Sequence, residues 1–526
     1  MLGATAATTP TTKSSGRQLS KLAAAFGPAA VSFYGGASSY VNGLPKGWHE
    51  DADVSGTFTE MFAWARVVHD LGACALPGVS IQYEPFIKDM WRAVQLGFVQ
   101  EQHAEFVQQG LRWGFEIGLH PDRVRGHRFF KNYESSVNDA ARPRVIAATE
   151  ARVAAGKTLH LGAVVDSLLS VMRQVFDAAY IFPMGAVAKP LEPDKMRPTD
   201  DHTRTGLNAA CDMSGPPSLS YSLDTYAEMA RRLLPGFAMH VTDVEAAFPM
   251  LPFAPWVWPY MFHRFFSSEG DPNALHLYCH VNGDFGTRGM PGVFKIFFVD
   301  VVTNMARAAG QLSIPASIYV DDIGVTGARA KRVTLEMMKF QAWCESLGCA
   351  AFKRIKDKVA SQVQLFIGFW WDSFEGTRSL EERKLLQYLD VLLAFSTRKS
   401  LTLHERQQVA GYMERAVKTM PPGASCLLAN VFLLMVGLSL AWQKRRTTRK
   451  EREDYTASST TSSTPTWARA ITRQIGSKRD RRCIQTLPDP RAIQAADGAR
   501  AGGLTTSGGT ARRPPGSRSI SSRATP

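Results

Sequence analysis

Paired metal-binding cysteines are missing from this 526-residue chain. Its seven cysteines, Cys74, Cys211, Cys279, Cys344, Cys349, Cys426 and Cys483, include no C-x₂-C pair, and no histidine stands at zinc spacing from them. That excludes zinc-finger and zinc-ribbon architectures, and the odd, scattered set suits reduced thiols in an intracellular protein, cytoplasmic or nuclear. A secretory signal is also missing. The first 22 residues are rich in Thr, Ser and Ala with scattered Lys and Arg, without an apolar core. They share that bias with organelle transit peptides, although a disordered tail explains it more simply. Long apolar runs are scarce. Residues 426–442 carry no charge over 17 positions and are followed by Gln443-Lys444-Arg445-Arg446. This is the short limit for a membrane span. A buried helix closing the last subdomain fits better, so no membrane partner is expected.

Acidic residues become rare toward the carboxyl end. Residues 443–526 hold 18 Lys and Arg against 6 Asp and Glu, so +12 of the net charge of +14 lies there. The rest of the chain is close to neutral, and any basic groove in it has to be local. With 45% hydrophobic and 21% charged residues, the chain has ordinary globular composition and room for two or three subdomains.

What is present is a pair of adjacent carboxylates. Residues 318–325 read Ile-Tyr-Val-Asp-Asp-Ile-Gly-Val, with Asp321-Asp322 at the turn between two apolar stretches. Hairpin turns accept Asp readily, and the pair alone is ordinary solvated chemistry. Burying it, however, needs a cation, and Mg²⁺ is the natural partner of clustered carboxylates and phosphates. A third carboxylate, Asp243, ends the strand-like residues 237–242, and Phe248 follows five positions later.

The order of elements around these residues is regular. Residues 180–210 alternate around Phe182, Met184 and Val187, turn at Pro193-Asp194 and return as a hairpin. An amphipathic helix over 223–234 stops at Pro235-Gly236, and the Asp243 strand follows. A long apolar helix over 293–309 precedes the Asp-Asp hairpin. Val333, Met337, Phe340, Cys344 and Leu347 then mark a helix that stops at Gly348. This β, α, β-hairpin, α order is a split βαβ pattern. Residues 380–442 read as helices, one of them about 403–419, and the text after Gln443 has a disordered composition.

Residues 243–248, the GDFGTRGMPGVFKIFF segment at 283–298, Tyr319-Val320-Asp321-Asp322 and LFIGFWWDS at 365–373 resemble four successive motifs of reverse transcriptases. The LTLHERQQVAG…MPPG helix beyond them resembles the thumb of retrotransposons that carry a tyrosine recombinase, the DIRS-type elements. The resemblance covers about residues 175–442. It implies an α+β, right-hand polymerase fold: fingers over 175–235, a palm with a split βαβ antiparallel sheet over 236–375, and a helical thumb over 376–442. Around these lie a disordered segment 1–45, a mostly helical extension and connector over 46–174, and a disordered basic tail over 443–526.

The activity it implies is RNA-directed DNA polymerisation. A primer 3′-hydroxyl attacks the α-phosphate of a deoxynucleoside triphosphate on an RNA or DNA template, using two Mg²⁺ ions, with Mn²⁺ a possible substitute. Asp243 and Asp321 would be the bridging metal ligands, with Asp322 in support. Arg197, Lys189 and Lys195 on the fingers hairpin would meet the triphosphate, although Met196 stands where the family has an aromatic. Phe248 would exclude a ribose 2′-hydroxyl. Lys358, with Lys356 as competitor, would protonate the leaving pyrophosphate. Gly286, Arg288 and Gly289 would approach the template or nucleotide, with Asp284-Phe285 in place of the Leu-Pro of retroviral enzymes. Phe366 and Gly368 would form the primer grip.

Two other readings compete: an RNA-dependent RNA polymerase, which would need a polar residue in place of Phe248, and a catalytically idle nucleic-acid-binding relic. Oligomeric state is open. Residues 455–526 contain only Asp480, Asp489 and Asp497 as acids, too few for the ribonuclease H domain that follows the thumb in the resembling elements. The expectation is a truncated or frame-disrupted element, with a native RNA-binding tail as the alternative.

Overall fold

Apolar residues at helical spacing fold the first part of the chain. In the computed structural model, residues 36–50, 56–189, 192–221, 226–353, 359–396, 398, 400–419 and 444–446 are described. They fall into two units that divide after Gln387. Residues 36–45, expected to be loose, instead form a 3-10 turn, Gly36–Ser39, and two short paired strands, Tyr40–Val41 and Leu44–Pro45. Three amphipathic helices follow: α1 Thr59–Leu71, α2 Tyr83–Gln95 and α3 Glu101–Trp113. α1 buries Met61, Phe62, Ala65 and Val68, and α2 buries Phe86, Met90 and Ala93, each set repeating at three to four residues. Gly114 ends α3 at φ 86°, and a Cβ there would sit 2.4 Å from the Phe253 carbonyl oxygen, so only glycine fits.

The chain continues through β1 His127–Phe129, α4 Arg142–Ala154, β2 Thr158–Ala163 and β3 Ala179–Ile181. The expected hairpin is β4 Met184–Lys189 and β5 Glu192–Asp200. Lys189 pairs with Glu192, so the turn comes earlier than expected and Pro193 and Asp194 belong to β5. Next come α5 Tyr226–Arg232, β6 Ala238–Asp243, β7 Phe262–Phe266 and β8 Leu275–His280. The long apolar helix α6 spans 290–308, and its middle, Lys295–Val302, is π-helical. The wider turn suits a five-residue spacing: Lys295 Nζ pairs with Asp300 at 2.7 Å, and the Thr303 hydroxyl donates to the Phe298 carbonyl at 2.9 Å. The unit closes with β9 Ala316–Tyr319, β10 Asp322–Gly327, α7 Ala330–Ser346, β11 Val363–Phe366, β12 Phe369–Asp372 and β13 Thr377–Leu380.

The strands sort into three sheets besides the hairpins. A three-stranded antiparallel sheet has the order β9-β10-β6, which is the split βαβ arrangement with α6 as crossover. β11, β12 and β13 form a second antiparallel sheet. The third has the order β1-β3-β7-β8-β2. Its outer strands, β1 and β2, come from the segment expected to be a mostly helical extension and connector. That segment shares one hydrophobic core with the rest of the unit: Phe86 of α2 stacks on Phe297 of α6 at 5.7 Å, and Phe115 meets the same ring edge-on. The described residues of 46–174 are thus built into this sheet and core.

In the second unit, helix α8 Leu403–Val417 starts at a capping box. The Thr402 hydroxyl accepts from the Glu405 N–H, and Glu405 accepts from the Thr402 N–H at 2.8 Å. Leu401, Val409 and Ala410 pack with Phe395, and Tyr388 stacks on Tyr412 at 4.6 Å. Lys444–Arg446, assigned from composition to a disordered tail, pairs antiparallel with Ser400–Thr402. The remainder of the expected thumb and tail, including 426–442, Cys426 and Cys483, lies outside the described residues. Among the described residues no helix is long and apolar enough to cross a membrane.

Candidate active site

The expected catalytic carboxylates meet at one end of the β9-β10-β6 sheet. β6 is buried except at Val241, and its last residue, Asp243, is 2% exposed. Cross-strand register sets Asp322 directly opposite Asp243. Between β9 and β10 the turn is only Val320-Asp321, and Val320 takes φ 59°. A β-branched residue there costs on the order of 1–3 kcal/mol and marks a turn held by its surroundings. One tether is visible: the Asp321 carbonyl accepts the Val244 N–H at 2.8 Å, tying the hairpin tip to the residue after Asp243. From beneath, Gln341 of α7 donates to the Thr242 hydroxyl at 2.9 Å.

Lys353, which no sequence motif marks, completes this site. Its N–H donates to the Asp243 carbonyl at 3.0 Å, and its ammonium forms a short ion pair with Asp243 Oδ1. The ammonium on Asp243 shows that this carboxylate takes a cation, and aspartates alone as donors fit a hard divalent ion. In the present arrangement the three aspartates are not drawn into a ligand cage. Among the described residues, the one group whose ligand atoms all lie within 4.8 Å of one another is Asp200, His280 and Asp284. Lys353 has no local signal because its placement depends on the bridge between Val244 and Phe352, a pairing across more than a hundred residues.

Phe248 lies in a 3-10 turn, 4% exposed, with its ring 5.0 Å from Phe285 and 5.8 Å from Phe294. Phe285 is 53% exposed and covers it. The guanidinium of Arg197, exposed on β5, sits 5.9 Å from the Phe285 ring centre. A cation–aromatic–aromatic chain thus links the β4-β5 hairpin to Phe248. Lys189 and Lys195 lie in the strands of that hairpin, their side chains outside the described set, and Lys356 and Lys358 fall outside the described residues altogether.

The glycines of the third motif do make close backbone approaches, but to the chain itself. A Cβ on Gly286 would lie 2.0 Å from the Asp200 carbonyl oxygen, and one on Gly289 2.1 Å from that of Ile117. Their tight packing is therefore explained without template or nucleotide. Gly286→Ala should lower stability by about 1–3 kcal/mol, because rigid backbone must move; a urea denaturation midpoint equal to that of the parent would contradict this packing. Arg288 is exposed, with its N–H bonded to Asn208 Oδ1 at 2.9 Å. A two-residue turn stands where the primer grip was expected: Phe366 pairs with Phe369, and Ile367 and Gly368 both take positive φ, at 46° and 79°. The Phe366 ring is buried against Gly324 of β10, which couples this hairpin to the aspartate strand.

No protein-family profile matches the chain, and no curated protein matches it. Solved structures similar to it include the foamy viral protease-reverse transcriptase dRH in complex with double-stranded DNA, with a TM-score of 0.43 and 14% identity over 72% of this chain. The foamy viral protease-reverse transcriptase with an RNA/DNA hybrid gives 0.44 and 13% over 75%, and with double-stranded DNA 0.43 and 14% over 75%. The chain spans 60%, 46% and 72% of those three chains, respectively. At this similarity the functional case rests on the residues of the site. DIRS-type membership has no support among these structures.

Proposed function

We propose that this chain is an RNA-directed DNA polymerase, a nucleotidyltransferase that extends a primer with deoxynucleotides. The observation that carries the reading is the pairing of Asp322 with Asp243 across β10 and β6, with Asp321 at the strained tip beside them. Asp243, Asp321 and Asp322 would hold the divalent cations, which when bound offset charge on the attacking and leaving oxygens. Arg197 offers a cation on the fingers side for the triphosphate, and the Ile367-Gly368 turn offers backbone to the primer. Phe248 and Phe285 form an apolar wall that suits a deoxyribose better than a ribose. Primer extension on poly(rA)·oligo(dT) with Mg²⁺ and dTTP tests the reading, with UTP in parallel to separate it from RNA polymerisation.

One observation favours the second reading, a nucleic-acid-binding relic: the Lys353 ammonium closes the Asp243 carboxylate. A working enzyme has to displace it. Lys353 is 37% exposed, and a partly exposed ion pair is worth at most ~1 kcal/mol. In an active polymerase, Lys353→Met should therefore lower the half-saturating Mg²⁺ concentration, by up to about fivefold. Absence of extension at any Mg²⁺ or Mn²⁺ concentration would leave the relic as the reading to keep.

A further inference from the structure

Away from the three aspartates, the unit buries a second set of metal-capable side chains. Asp200 ends β5, His280 ends β8 and Asp284 opens the loop that carries Phe285 and Gly286. One ligand atom from each lies within 4.8 Å of the other two. His280 is 2% exposed and Asp284 fully buried, while the Asp200 side chain is 5% exposed. Second partners are already in place: the Thr158 hydroxyl holds His280 Nδ1 at 2.9 Å, and His202 Nε2 holds Asp284 Oδ2 at 2.8 Å. Asp284 Oδ1 accepts from the Gly286 and Thr287 N–H groups and the Thr287 hydroxyl. This is how a ligand set is oriented by its surroundings.

The inner atoms are unsatisfied. His280 Nε2 and Asp200 Oδ1 have no hydrogen-bond partner, and His280 Nε2 lies 3.6 Å from Asp200 Oδ2. Both ring nitrogens of the fully buried His263 are also without one, and its ring centre is 4.4 Å from that of His280. Buried polar groups are normally paired, and a cluster of orphans around one point calls for a missing partner. One imidazole and two carboxylates suit a borderline ion such as zinc better than magnesium, which prefers oxygen and water.

We propose that Asp200, His280 and Asp284 bind a structural zinc-class divalent ion, with His263 beside it for a fourth position, that clamps the fingers hairpin to the five-stranded sheet. The three ligands come from a hairpin end, a sheet strand and the Phe285 loop, so one ion would join all three. The clamp would fix the base of the strand that presents Arg197 and the loop that presents Phe285. This inference is independent of polymerase activity.

The test uses the full chain, stripped with chelator and titrated with Co²⁺ alone, then Zn²⁺. One equivalent of Co²⁺ should give a visible ligand-field band that Zn²⁺ displaces, and Zn²⁺ should raise the thermal midpoint. His280→Ala and Asp284→Asn should each weaken the band's Co²⁺ affinity at least about 100-fold, and His202→Ala, a positioning change, by about 10–100-fold. Asp321→Asn should leave the band intact, because its site is oxygen-only. Circular dichroism establishes that each variant is folded, and the titration of the unmutated chain is decisive should a variant not fold. No band and no Zn²⁺-dependent midpoint in the unmutated chain would overturn the proposal and mean a water-filled polar cluster. An unchanged band in folded His280→Ala would overturn it as well.

Discussion

Asp321→Asn should reduce primer extension by about 10²–10³-fold or more, while the protein stays folded. The expectation follows from how the residue is held. The bond that ties the hairpin tip to β6 uses the Asp321 backbone carbonyl, accepting from Val244, and the substitution leaves that bond untouched. The side chain is half-buried, and asparagine matches its volume, so the change removes one negative charge and little else. A charge that neutralises a bound cation is difficult to replace with an amide dipole. Asp243→Asn is a poorer probe because Asp243 is buried and paired with Lys353, so it mixes catalysis with stability. The readouts are extension rate on poly(rA)·oligo(dT) and a thermal midpoint. Extension equal to that of the parent chain would sink the metal assignment for Asp321.

The elements around the aspartates were legible because their signals are local. A strand that ends in Asp243, a hairpin that carries Asp321 and a helix with Val333, Met337, Phe340 and Cys344 buried along it each sit within a short window. The turn itself came out one residue earlier than Asp321-Asp322, at Val320-Asp321, with Asp322 already in β10. The Ile367-Gly368 turn and the helix Leu403–Val417 were readable for the same reason, although the cap of that helix is Thr402 and was not read from the sequence. Pairings between distant segments were not. Nothing in TLHLGA announces that it forms the edge of a sheet beside LHLYCH, with more than a hundred residues between them. The same blindness hid Lys353 and the His280 group, whose members share no sequence window. In the β4-β5 hairpin, Pro193-Asp194 is a strong turn signal, yet the cross-strand register from Met184↔Asp200 to Lys189↔Glu192 prevails over it. The third-motif glycines were read as openings toward a ligand, because sequence shows that a glycine is needed but not what approaches it.

Phe248→Ala should have two effects that must be separated. The ring is 4% exposed and packs against Phe285 and Phe294, so its loss should cost about 3–5 kcal/mol of stability. If the same ring also limits the sugar pocket, discrimination of dTTP against UTP should fall by roughly 10-fold or more, within the ~1–3 kcal/mol that shape alone supplies in an apolar pocket. Because Phe285 covers Phe248, the two rings can be tested in order of depth. Phe285→Ala removes the exposed ring, and its stability cost should be much smaller than that of Phe248→Ala. Phe248→Leu keeps most of the buried volume but withdraws the far edge of the ring. A gate predicts that Phe248→Leu, with its modest stability loss, still relaxes sugar choice. Should discrimination follow Phe285→Ala instead, the exposed ring is the one that reads the sugar and Phe248 is its support. Should neither variant move it while the Phe248→Ala midpoint drops, Phe248 is a core residue, and choice between sugars is made elsewhere in the site.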